Sequence, residues 1–242
     1  MNFFDLVNIS EKYMKVINPS SPEKILKVGE IVKVDQSSRV LDVGAGFGET
    51  LALWGKHFQI SGIGVDIRPY ARERAEARFK ELNLEDRLEF VCMDGKQFKT
   101  DEKFDVVACL GATFIYGDFK RTLQTLEAMM KDEGRAVIGE RYLSRSDAPE
   151  SLQKEAQTEY ELLKDIRESG FELEYIIRSS QDEWDRYICD NWYGLIKWLE
   201  HHPDHPEKQE VLDFLHEHQA DYLQFEREFT GWAIYIMRKS LC

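Results

Sequence analysis

"RVLDVGAGFGET", residues 39–50, sets three glycines at alternate positions, Gly44, Gly46 and Gly48, directly behind a short run of strand character. A run rich in Val and Leu is what a strand buried on both faces looks like. Glycines after such a strand permit a tight turn and let the backbone approach a ligand closely. The spacing is G-x-G-x-G, not the G-x-G-x-x-G of dinucleotide folds. Two carboxylates, Asp42 and Glu49, flank the turn. A pyrophosphate wants positive potential at a helix N-terminus, and both acids would oppose it.

Working outward, RVLDV (39–43), ISGIGVD (60–66), LEFVCMD (88–94), FDVVACL (104–110) and GRAVIGE (134–140) read as strands. Helical patterns at 47–57, 68–83 and 118–131 separate them. Strands alternating with helices predict an α/β, doubly wound, Rossmann-like sheet with right-handed crossovers. In front of it, SSPEKILKVGEIVKV reads as a helix, with Ser20 and Glu23 at capping-box spacing and Pro22 in the first turn. Behind it, 151–169 reads as one helix ending at Gly170, followed by strands FELEYIIRS (171–179) and GWAIYIMRK (231–239). Between these two strands, helical patterns at 182–200 and 207–228 flank the turn "HHPDHP" and predict an inserted cap. The expected organisation is an N-terminal helical segment or lid (1–38), a core (39–180 and 229–242) and a helical cap (181–228).

Composition narrows the function. The formal charge is -13 and the basic residues do not cluster, which disfavours nucleic acids and anionic membrane surfaces as partners. "RPYARERAEARFK" (68–80) is the densest basic stretch, but its interleaved glutamates read as a solvated helix face. No apolar run approaches bilayer length, and the first residues lack the marks of a secretory signal. Cys92, Cys109, Cys189 and Cys242 show no paired spacing, so neither disulfides nor a zinc site is expected, and a reducing cytoplasm is the expected compartment.

A ligand carrying an ammonium and a sulfonium suits the acid-flanked turn. S-adenosylmethionine has both and no phosphate. Asp66 ends the second strand, where an acid accepts from ribose hydroxyls. Asp94, beside Met93 and Gly95 at the third strand end, can accept from an adenine amino group, with Met93 and Ile67 against the ring faces. Each aspartate taken singly is equally a helix cap; three on one sheet edge favour a site.

At this point the chain resembles class I S-adenosylmethionine-dependent methyltransferases, through "VLDVGAGFG", "GIGVDI", "DRLEFVCMDG" and "KFDVVACLGAT" in order and spacing. More weakly, "ISE…INP", "CLGATFIYGDF", "IGERY", "QDEWDRY" and "REFTGWAIY" resemble a small branch of uncharacterised bacterial methyltransferases acting on small molecules. The resemblance implies a sheet of about seven strands, the last antiparallel. It also implies that Asp42, Gly44 and Gly46 hold the methionine part of the cofactor, Asp66 the ribose and Asp94 the adenine, with Cys109, Leu110 and Gly111 lining the methionine part as well.

Methyl transfer from a sulfonium needs alignment and a dry site more than a protein nucleophile. Acceptor contacts are expected from Thr113, Phe114 and Tyr116 after the fourth strand, and from Glu140 and Tyr142 at the end of the fifth. Glu140 reads either as a general base or substrate anchor, or as a salt-bridge partner of Arg141 or Arg145. The cap's Trp184, Tyr187, Trp192, Tyr193 and Trp198 read either as an aromatic wall for an acceptor or as packing: Trp184, Ile188, Leu195 and Leu199 share one helical stripe, and Val211, Leu215, Tyr222 and Phe225 another. The segment around Tyr13, Ile17 and Asn18 is placed to close over the cofactor. His201, His202 and His205 read as a polar turn rather than a metal site. Two alternatives to a small-molecule methyltransferase stand beside it. One is a catalytically silent cofactor-binding module or partner subunit; the other is an NAD-dependent reductase, which the glycine spacing and Asp42 disfavour.

Overall fold

The computed structural model describes residues 1–240; Cys242 and the end of the expected core lie outside them. In chain order the elements are α1 (Phe3–Ser10), α2 (Pro22–Val32), β1 (Arg39–Val43), α3 (Glu49–Phe58), β2 (Ser61–Asp66), α4 (Pro69–Glu81), β3 (Leu88–Cys92) and β4 (Phe104–Leu110). A 3-10 turn, Thr113–Ile115, leads to α5 (Phe119–Glu127), β5 (Met130–Leu143), α6 (Glu150–Glu155), β6 (Gln157–Thr158) and α7 (Glu159–Glu168). The remainder is β7 (Phe171–Arg178), α8 (Gln181–His201), α9 (Lys208–Asp221), a π-helical turn over Tyr222–Glu226, a single helical turn α10 (Arg227–Phe229) and β8 (Thr230–Lys239).

The sheet order is β3-β2-β1-β4-β5-β8-β7, with the short β6 beside the end of β5. Strands β1 to β5 are parallel, and β8 runs antiparallel between β5 and β7. The order reverses between β1 and β4, which opens a crevice at their carboxyl ends. The glycine turn sits at that switch point. β4 shows why the centre of the sheet is legible as an unbroken apolar run. Val106 and Ala108 pack on the face covered by α2, α3 and α4, while Val107 and Cys109 pack on the face covered by α5 and α7.

Several boundaries depart from the sequence reading. The helix expected over 118–131 stops at Glu127, and β5 starts at Met130 instead of residue 134 because Met130 already pairs with Phe104 of β4. The helix expected over 207–228 gives way to the π-helical turn at Tyr222. The N-cap of α2 is Ser21, not Ser20, because Pro22 takes the first helical position and Ser21 accepts from the Lys24 amide. The expected helix 151–169 is two helices. Ala156 turns extended, Gln157 and Thr158 add to β5, and Thr158 with Glu161 closes a capping box that starts α7.

Helices α8 and α9 form the expected insertion between β7 and β8. Its apolar stripe is divided. Trp184, Ile188 and Tyr222 join the sheet core with Trp232, whereas Leu195, Leu199, Val211 and Leu215 pack with Leu6 of α1. A Cβ on Gly194 would lie 2.3 Å from the Ser10 carbonyl oxygen, so α1 and α8 meet backbone to backbone. No helix among the described residues is long and apolar enough to cross a membrane.

Candidate active site

The amides of Gly44 and Ala45 both donate to the Val65 carbonyl, at 2.8 and 3.0 Å, strapping the glycine turn onto β2. Gly44 and Gly46 have φ of +72° and +54°, and their faces are closed by neighbours. A Cβ on Gly44 would meet Ala112 at 2.3 Å, and one on Gly46 would meet Ile17 at 2.1 Å. Only glycine fits either place. Gly48 instead N-caps α3 against Ala75 and Phe79, beneath the turn.

Asp42 is 2% exposed, and its Oδ1 has no hydrogen-bond partner among the described residues. Burial, with the nearby Asp66 charge adding to it, pushes the carboxyl up to about 7. Asp66 is better supplied: its Oδ2 accepts from the Gly46 amide at 3.0 Å and its Oδ1 from the Arg68 amide at 3.0 Å and Nε at 3.3 Å. Arg68 then reaches across to Glu11, whose Oε2 accepts at 2.6 Å. This buried Glu11–Arg68–Asp66 chain ties the segment after α1 to the turn, and burial holds the Glu11 carboxyl above its usual range against the pull of Arg68. Sequence reasoning missed Arg68 and Glu11. The signal was the position of Arg68, two residues beyond the acid that ends β2.

Glu49 does not face the ligand side. Both its carboxylate oxygens accept from Arg78, at 2.9 Å each. The supposed solvated face of α4 supplies this partner: Arg72 and Glu76 make the expected exposed pair, but Arg68 and Arg78 turn inward. Arg74 does too, donating to the Lys12 and Met14 carbonyls while its guanidinium lies over Phe47.

Above the turn lies a cavity of ≈ 390 Å³. Of the residues expected to meet cofactor, Gly44, Asp66, Ile67, Asp94, Leu110 and Gly111 line it, as does Gly95. Asp94 Oδ1 also accepts from the Lys96 amide at 2.9 Å. Asp42, Gly46 and Gly48 do not line it, and neither do Met93 and Cys109. The latter two pack toward α5, and burial holds the Cys109 thiol far above its ordinary range. A second cleft, of ≈ 650 Å³, opens on the α5–α6 side and shares Gly111 and Phe114 with the first.

Glu140 lines this second cleft, and the Thr113 hydroxyl donates to its Oε2 while the Arg141 amide donates to Oε1 at 2.8 Å. The arginine partners anticipated for it are engaged elsewhere: Arg141 pairs with Glu226 and Glu155, and Arg145 with Asp147 and Glu228. Burial raises the Glu140 carboxyl, opposed by the Thr113 bond. Tyr142 lies outside both cavities. Its ring covers Gly231, and burial raises its phenol beside Glu159. Tyr116 is likewise outside, its hydroxyl donating to the Gly95 carbonyl at 3.2 Å. Of the cap aromatics only Tyr187 lines the first cavity; Trp184 stacks on Tyr187 from behind, inside the core. His202 stacks on Trp198, with its Nδ1 2.8 Å from the Trp198 carbonyl. A buried carboxyl whose Oδ1 lacks a partner, beneath a glycine turn strapped to β2, suits a ligand bearing an ammonium group.

Residues 40–134 match a family model described as a methyltransferase domain. Over 240 residues the chain is 30% identical to YjhP of Escherichia coli (strain K12), a protein of uncharacterised function, covering 96% of this chain and 97% of that one. Two crystal structures superpose with a TM-score of 0.92 each, both S-adenosylmethionine-dependent methyltransferases in complex with S-adenosyl-L-homocysteine. The Thiobacillus denitrificans protein is 28% identical, covering 99% of this chain and 100% of that one. The Geobacter sulfurreducens protein is 30% identical, covering 98% of each. With the switch-point crevice, the glycine turn and these relatives in agreement, the chain belongs to the class I S-adenosylmethionine-dependent methyltransferases.

Proposed function

We propose that the protein methylates a small molecule whose reacting group sits where the two cavities meet, at Gly111 and Phe114, between Tyr187 of α8 and Glu140 of β5. One observation carries this reading: Glu140 is a largely buried carboxylate without a guanidinium or ammonium partner, in a cleft that shares a wall with the cofactor cavity. When bound, S-adenosylmethionine would supply an electrophilic methyl on its sulfonium, passed in line to an aligned acceptor with S-adenosylhomocysteine as the leaving group. The protein's part is to bind, align and exclude water.

In this assignment Asp42 faces the methionine ammonium, the backbone of Gly44 and Gly46 cradles that end, and Gly48 supports the turn from below. Asp66 receives the ribose hydroxyls, Asp94 receives the adenine amino group, and Ile67 covers a ring face. Met93 and Cys109 support these walls from the core, and Tyr116 and Trp184 support Gly95 and Tyr187. Thr113 orients Glu140, which accepts the acceptor's proton or anchors its polar group; Tyr142 is given no part. Residues 1–38 act as the lid, 39–180 and 229–242 as the core, and 181–228 as the cap.

The test is S-adenosylhomocysteine release across an acceptor panel, followed by Glu140→Gln on the best acceptor. General-base loss lowers turnover by about 10²–10⁴-fold, while the affinity for S-adenosylhomocysteine stays as in the parent. Undiminished turnover removes Glu140 from the reaction.

A further inference from the structure

Ten large hydrophobic side chains are exposed among the described residues, and four of them, Phe3, Phe4, Ile67 and Phe114, line the one cavity above the glycine turn. Ile67 is accounted for as a wall for the cofactor's ring. The three phenylalanines are not, and they are 62%, 43% and 71% exposed. They come from segments far apart in the chain, α1 and the turn after β4. Surfaces of monomeric proteins seldom collect large apolar side chains at one rim without a ligand to cover them.

The rim is also held in place. α1 meets α8 at Gly194 without room for a Cβ, Glu11 is fixed by Arg68, and Arg74 holds the Lys12 and Met14 carbonyls. Phe114 belongs to the wall shared with the cleft of Glu140, whose neighbour Thr113 is the preceding residue.

Resting on the methyl-transfer reading above, we infer that the acceptor has an apolar alkyl or aryl body, gripped by Phe3, Phe4 and Phe114, and a protic head turned toward Thr113 and Glu140. α1 is then a recognition element for the acceptor as well as part of the lid. A membrane surface is the less favoured occupant: the rim surrounds a cavity instead of a flat face, and the chain carries a net charge of -13.

The probe is a neutral homologous series, 1-butanol to 1-octanol, titrated into protein saturated with S-adenosylhomocysteine. Apolar burial makes each added methylene tighten binding by about three- to fourfold. The doubly substituted Phe3→Ala, Phe4→Ala protein should lose most of that length dependence. Both residues are exposed, so the fold is kept, and circular dichroism and the melting temperature check it. Its dissociation constant for S-adenosylhomocysteine should stay within about twofold of the parent, as expected for side chains outside the cofactor's hydrogen bonds. A flat series in the parent protein overturns the inference. So does a variant that loses S-adenosylhomocysteine along with the alkanols, because the phenylalanines would then cover the cofactor. Binding to phosphatidylcholine vesicles without alkanol binding overturns it in favour of a lipid surface. Failure of the parent to bind S-adenosylhomocysteine at all is a separate result, which sinks the proposed assignment of the cavity and leaves the alkanol series to stand or fall alone.

Discussion

Replacing Asp42 by Asn should make the ligand-free protein more stable and the cofactor weaker bound. Asp42 is 2% exposed, its Oδ1 lacks a partner, and its carboxyl is raised from 3.8 to about 7 by burial and by Asp66. The folded state therefore holds this proton more tightly than the unfolded chain does. The resulting stability is fully present below pH 3.8 and is lost as pH climbs to about 7. At pH 8 the ionised side chain costs the empty fold at most about 4 kcal/mol, with water entry and relaxation reducing that. Asn keeps the shape and removes the charge, so the variant should gain about 1–4 kcal/mol over the parent at pH 8 and little at pH 4. The methionine ammonium would meanwhile lose a charge-assisted partner, about 1.5–3 kcal/mol or roughly 10- to 150-fold in affinity. Urea unfolding without ligand at the two pH values, with calorimetry against S-adenosylhomocysteine at pH 8, reads both quantities. In the parent, ligand binding near pH 6.5 should also release a proton, visible as a dependence of the binding heat on the buffer. Equal stability of parent and variant at pH 8, or unchanged affinity, refutes the view of Asp42 as an uncompensated anion facing a cation.

The other substitutions separate the structural carboxylates from the ligand-facing ones. Asp66→Ala should weaken S-adenosylhomocysteine binding by about 1–3 kcal/mol, measured by calorimetry; an unchanged constant counts against its place at the ribose. Arg78→Ala leaves Glu49 largely buried without its bidentate partner and should cost about 1–3 kcal/mol of folding stability with ligand affinity preserved. Reduced affinity in a fully folded variant would return Glu49 to the site. Gly194→Ala forces a methyl against the Ser10 carbonyl and should cost about 1–3 kcal/mol while speeding proteolysis within residues 1–21. Resistance equal to the parent's would mean that α1 does not depend on this contact.

What the sequence revealed and what it hid divide along a physical line. β1, β2 and β4 fall within one residue of their expected limits because burial on both faces writes an apolar run directly into the chain. The capping box that starts α7, Thr158 with Glu161, was equally local, and it was overlooked because the helical periodicity around it runs on. Partners distant in sequence were not legible. Nothing near Glu49 announces that Arg78, on the next helix, will neutralise it, and nothing near Glu140 announces that Arg141 will turn to Glu226 instead. Aromatic content in the cap was legible, but its direction was not: Trp184 serves the core and Tyr187 the cavity, although only Asp185 and Arg186 separate them. Helical spacing gives a face; which neighbour that face meets is decided by tertiary packing.

Arg68 shows how these distant partners become a working unit. One edge of its guanidinium donates to Asp66, whose other oxygen holds the Gly46 amide, and another nitrogen donates to Glu11. A carboxylate has about four acceptor positions, so Asp66 keeps room for a hydroxyl donor while remaining bound to Arg68. The segment that follows Glu11 lays Ile17 on Gly46 and is held at the Asn18 and Ser20 carbonyls by Arg186 of α8. Lifting the first twenty residues would break the Glu11–Arg68 pair, admit water to both charges and leave Arg68 with Asp66 alone. If the N-terminal segment acts as the proposed lid, its opening is coupled to the same ion-pair chain that positions Asp66, and loss of Asp66 should loosen the lid as well as the ligand.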